Sequence, residues 1–124
     1  MADKVILEPT AEHPITLVPN PNRVIVRYGN TTLADTRAAV TLSEAGHSPV
    51  LYIPLADVDQ RQLVRTDHAT YCPFKGDASY YSIPAAGQLG ENAVWEYQNP
   101  YPAVGEIKDR VAFYANRVEI TEEP

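Results

Sequence analysis

Residues 70–81 read TYCPFKGDASYY. Pro73 presets the φ that the first central position of a tight turn requires, and Gly76 tolerates the backbone that closes it. The flanking segments TDHATYC and DASYYSI are rich in β-branched and aromatic residues, so the stretch predicts a hairpin of two antiparallel strands. Eleven prolines and six glycines are scattered along the 124 residues, leaving few places for a helix beyond about three turns. The chain around the hairpin is therefore expected to be short strands and turns.

Working outward on the N-terminal side, VLYIP reads as a strand stopped by Pro54, which cannot donate to a ladder. Before it, RAAVTLSE places Ala38, Val40, Leu42 and Glu44 on one strand face, and AGHSP makes the break of a second hairpin. RVIVRY followed by Gly29-Asn30 predicts a third strand with a two-residue loop. PITLVP predicts a strand stopped by PNPN, and the two pieces on either side of PNPN are expected to start one antiparallel sheet. ADVDQRQL breaks the period of two and reads as one connecting helical turn, with Asp57 as its cap three residues before Gln60.

On the C-terminal side, PAAGQLGE reads as a small-residue loop. In AVWEY, Ala93, Trp95 and Tyr97 share one face while Val94 and Glu96 take the other. EIKDRVAFYANRVEI fits both periods and is read as a short turn followed by strand; the final TEEP reads as frayed. These segments predict a single mainly β domain over 1–124, with an ordered core at about 13–120. The expected architecture is a compact antiparallel sheet, sandwich-like, barrel-like or tent-like, with one or two short helical turns.

Hydrophobic residues make up 44% of the chain and charged residues 21%, the composition of a domain that folds on its own. A lone cysteine forms no internal disulfide, and MADKVILEPTAEH has no continuous apolar core of a leader. No run approaches the ~18 apolar residues of a membrane span, so a reducing cytoplasm is the expected location and no membrane partner is expected. The net charge of −6 offers no basic stripe for phosphates, and no nucleic-acid partner is expected. A homodimer stays open.

Several residues invite chemistry. Lys75, three positions after Cys72 across a tight turn, would lower the thiol's pKa and make Cys72 a nucleophile. The alternative is a buried cysteine acting as a small hydrophobe, with Lys75 in solvent. His68, four residues upstream, is the nearest helper. Glu44 follows Leu42 and Val40 on an apolar face, so desolvation is expected to raise its pKa toward neutrality. Alternatively it reaches solvent or pairs with Arg27 or Arg37. Tyr52, Tyr80, Tyr81, Trp95 and Tyr97 lie on three expected strands, and such rings can line a pocket with polar handles around an apolar floor. One cysteine with His13, His47 and His68 gives no paired zinc spacing, so no metal is expected and no cofactor is indicated. Phosphate-loop, dinucleotide, esterase and metalloprotease motifs do not occur.

YCPFKGDASYYSI, AVWEYQNPYP and VAFY, preceded by HPITLVP, RVIV, LADT, LSEAG and VLYIPLADV, resemble the bacterial family known as domain of unknown function 427. The resemblance runs from about His13 to Ile120. Its recurring positions fall on Glu44, Tyr52, Pro54, Asp57, Cys72, Pro73, Lys75, Gly76, Tyr80, Trp95, Tyr97 and Pro100. It implies a compact antiparallel β domain, of a tent-like type otherwise found with zinc, although the paired cysteines of such zinc domains are missing here. It also brings a nucleotidyltransferase label, toward which Asp57-x-Asp59 has the metal-binding spacing but no glycine-serine partner motif.

Taken together, the residues give a small-molecule pocket lined by Glu44, Tyr52, Cys72, Lys75, Tyr80, Trp95 and Tyr97, with Asp57 as a further ligand-binding candidate. The competing readings are an enzyme in which Cys72 or Lys75 acts covalently with Glu44 as proton carrier, and a purely structural or protein-interaction domain.

Overall fold

The computed structural model describes residues 4–124. Its strands run β1 Ile15–Asn20, β2 Arg23–Tyr28, β3 Thr31–Thr36, β4 Ala39–Glu44, β5 Val50–Pro54, β6 Val64–Cys72, β7 Gly76–Ser82, β8 Val94–Glu96, β9 Arg110–Phe113 and β10 Glu119–Glu123. Seven of them form one sheet in the order β1-β4-β5-β9-β8-β7-β6, and the other three form a second in the order β10-β2-β3. Every pairing is antiparallel. β1 and β6 are the free edges of the long sheet, so the architecture is two sheets and not a closed barrel.

Both faces of the long sheet are covered, which is why VLYIP and VAFY read as nearly unbroken apolar runs. Ile53, Val94, Val111 and Phe113 point to one side, where Val24, Val26 and Leu33 of the second sheet meet them. Tyr52, Trp95 and Ala112, their immediate neighbours in sequence, point to the other side, with Leu42, Ala78, Tyr80, Tyr97, Val104 and Ile107. The period of two thus sorts each central strand between two apolar clusters. Val104 and Ile107, both fully buried, come from the 3₁₀ segment Pro102–Ile107.

Four expectations change. β1 and β2 do not pair: β1 lies on β4, with Leu17 opposite Leu42, and β2 joins the other sheet. The Asn20 side chain accepts a hydrogen bond from the Asn22 amide at 3.0 Å, a local turn that diverts the chain between two prolines. Asp57 caps nothing: 3₁₀ turns at Leu55–Asp57 and Gln60–Gln62 replace the single helical turn, and Asp59 caps the second by accepting from the Arg61 amide. Asp57 instead accepts from Thr36 Oγ1 at 2.6 Å. PAAGQLGE is 3₁₀ across Pro84–Gly90 and not a loop, one of four short segments of that kind among the described residues. Most of TEEP is ordered in β10, paired with β2 through Thr121 opposite Ile25 and Glu123 opposite Arg23.

Candidate functional site

The predicted hairpin is β6 and β7. The Lys75 amide donates to the Cys72 carbonyl at 3.2 Å, closing a turn with Pro73 at its first central position, and Cys72 then faces Gly76 across the ladder. Neighbouring backbone holds the turn in place: the Leu7 amide donates to Pro73 O at 2.9 Å and the Tyr101 amide to Lys75 O at 3.0 Å. Lys75 is thereby aimed back over the sheet instead of into water, and only 8% of its surface is exposed.

There it meets Glu44 at the end of β4. Lys75 Nζ donates to Glu44 Oε1 at 2.7 Å, and His13 Nε2 lies 2.7 Å from Oε2. The His13 ring stacks on Phe74 of the same turn, centroids 4.3 Å apart and planes 7° from parallel. Glu44 therefore has both oxygens engaged by groups from two other elements. Burial is the largest single influence on its carboxyl and pushes the pKa up. The hydrogen bonds from Lys75 and His13, with the charges of Lys75 and His47, outweigh burial and leave it below the ordinary carboxylate value. The expectation of a raised pKa is overturned. Its proposed arginine partners, Arg27 and Arg37, are replaced by Lys75 and His13.

Beside this pair lies a cleft of about 230 Å³. Of the residues singled out from sequence, Glu44, Lys75, Tyr52, Tyr80, Trp95 and Tyr97 all line it. Trp95 Nε1 donates to the Tyr52 hydroxyl at 3.2 Å, the rings meeting edge to face. Tyr80 shares a 2.9 Å hydrogen bond with Thr70 Oγ1. The Tyr97 hydroxyl has no hydrogen-bond partner among the described residues and opens on the cleft. Burial, first of all, holds the Tyr52 and Tyr97 hydroxyls far above the usual phenol pKa, so both are proton donors at any physiological pH.

Two predicted residues stand elsewhere. Cys72 is half-buried against the apolar cluster beneath the cleft, its Sγ 3.8 Å from Lys75 Nζ, and it does not line the cavity. Asp57 is engaged by Thr36 and is not among the lining residues. His68 packs edge-on against Tyr80 at 4.5 Å and lines a different depression. Sequence reasoning did not assign His13, His47, Ser48, Val50 or Tyr114 to the site. His13 had a signal only in hindsight, because β1 pairing with β4 puts Ile15 opposite Glu44.

The family model described as "Domain of unknown function (DUF427)" matches residues 16–124, covering every strand of the cleft. The chain belongs to the DUF427 family. The domain is also 32% identical over 113 residues to Nephrocystin-4 of Xenopus laevis. That match takes in 89% of this chain and spans 8% of the length of Nephrocystin-4.

Proposed function

We propose that this DUF427 domain binds a small molecule in the cleft beside the Glu44–Lys75 pair. One observation supports the reading. Four strands and a turn from distant parts of the chain deliver an ion pair and the rings of Tyr52, Tyr80, Trp95 and Tyr97 to one concavity. Tyr97 adds to it: its hydroxyl finds no partner among the described residues and faces the cleft, where an acceptor on a ligand would meet it. Cys72 lies behind the wall and receives no covalent role in this reading. Asp57 and Asp59, the pair with metal spacing, are engaged by Thr36 and Arg61, so nucleotidyl transfer ranks below binding. A lone cysteine suits a cytoplasmic location, which belongs to the same proposal.

The test is a thermal-shift screen of the full chain against nucleotides and small metabolites. A compound at 100 times its Kd adds about 2.7 kcal/mol of stability, a clear rise in Tm. The expected result is a hit whose shift vanishes in Tyr97→Phe, a change that removes one oxygen from the cleft and leaves the ring. Hits insensitive to Tyr97→Phe and to Lys75→Met, or no hit at all, would sink the reading.

A further inference from the structure

The long sheet is split where the cleft lies. β5 and β9 pair only at Ile53 with Val111 and Pro54 with Arg110. Beyond that point each strand keeps its outer neighbour, Tyr52 on Val40 of β4 and Ala112 on Trp95 of β8, but the two no longer pair with each other. Side chains join the strands across this end of the sheet: Trp95 Nε1 of β8 reaches over β9 to the Tyr52 hydroxyl of β5 at 3.2 Å, and the Trp95 and Tyr114 rings lie 4.5 Å apart. On the far side of this split is a second cavity, of about 330 Å³. Ser48, Val50, Trp95 and Tyr114 line both cavities. The second is walled otherwise by apolar side chains, chiefly Leu51, Ile53, Phe113 and Ile120.

The two halves differ in chemistry. In the first, both oxygens of Glu44 are already engaged. Donors remain in excess: the Lys75 ammonium has three protons and one strong acceptor, Tyr97 has its free hydroxyl, and Tyr52 still has its own proton because its oxygen accepts from Trp95. A group seated there must accept hydrogen bonds. The second half offers mainly apolar surface to cover.

We propose that the ligand is an amphiphilic carboxylate: its head group accepts from Lys75, Tyr97 and Tyr52, and its alkyl or aryl body passes between Val50 and Trp95 into the second cavity. This rests on the small-molecule reading above and deepens it.

Calorimetric titration of the full chain with acetate, butanoate, hexanoate, octanoate and octan-1-ol tests it. Affinity is expected to rise about fourfold per added methylene along the acid series, as for a buried CH₂, and octan-1-ol is expected to bind at least tenfold more weakly than octanoate (about 1.4 kcal/mol). Ala115 is exposed and lines only the second cavity, so Ala115→Trp fills that cavity without entering the core. It should abolish the gain from chain length and leave the shortest binding acid unchanged. Lys75→Met should abolish the preference for acid over alcohol. Equal affinity along the series, or a chain-length gain that survives Ala115→Trp, overturns the amphiphile while library hits sensitive to Tyr97→Phe keep the cleft. An absence of binding by any carboxylate overturns it as well, and the library screen then shows whether the cleft reading falls with it.

Discussion

Glu44 sits at the crossing of two opposing effects, and their balance has a measurable sign. Burial favours the neutral acid, whereas the Lys75 ammonium and the His13 ring favour the carboxylate, and the carboxylate wins. With Glu44 ionised, His13 Nε2 must be the donor, so this contact also fixes the proton on one ring nitrogen. A carboxyl whose pKa is lower folded than unfolded contributes stability that is whole above its ordinary value of 4.5 and fades as pH falls through the folded value. Glu44→Gln keeps the shape and removes the charge. At neutral pH it should cost about 1.5–3 kcal/mol in urea denaturation, the range for hydrogen bonds to a charged group. The gap between wild type and variant should then close as pH drops below about 4.5. A gap that stays constant down to pH 3 would mean that the pair does not hold the proton off Glu44.

At the scale of elements, the turn that opens β7 sets the aim of Lys75. Gly76 has φ of +114°, and a Cβ there would come within 3.3 Å of the Asn99 carbonyl oxygen, so strain and crowding act together. Gly76→Ala should lower stability by roughly 1–3 kcal/mol and weaken any ligand that depends on Lys75; a variant as stable as wild type would show that the hairpin does not need this backbone. The hairpin was legible because everything that makes it lies within a dozen residues. So was the division of AVWEY, since period two is local, and it correctly brought Trp95 and Tyr97 to one face. Pairing across the chain was not legible. Nothing in PITLVP says that it will choose β4 over β2, and with that choice hidden, so was His13. Glu44 illustrates the same limit: Leu42 and Val40 beside it argued for desolvation and were right about the sign of that effect. The partners that reverse the net shift are 31 residues away in each direction, where local sequence cannot find them.

At the scale of the whole molecule, the aromatic content couples stability to alkaline pH. Burial on both faces of the long sheet raises several phenols: Tyr52 and Tyr97 in the cleft cluster, and Tyr81 on the opposite face. Tyr81 is pushed up to about 12 by burial and by its 2.7 Å hydrogen bond to the buried Glu96. In the unfolded chain each ionises near 10. A group whose pKa is raised by folding contributes stability that is complete below its unfolded value and is lost as pH climbs toward the folded one. The window here opens at about pH 10 and extends past 12. Three such groups on two faces of one sheet act in the same direction, so the fold should fail before they can ionise inside it. Tyrosinate absorbance followed against pH should show a steep step coincident with loss of the far-ultraviolet strand signal. Tyr81→Phe removes one of the three and should move that step to higher pH, after allowance for its effect at neutrality. A single smooth titration of all the rings with the strand signal intact would mean that the two buried faces admit water freely, and the desolvated Tyr97 hydroxyl could then no longer be counted as a donor awaiting a ligand.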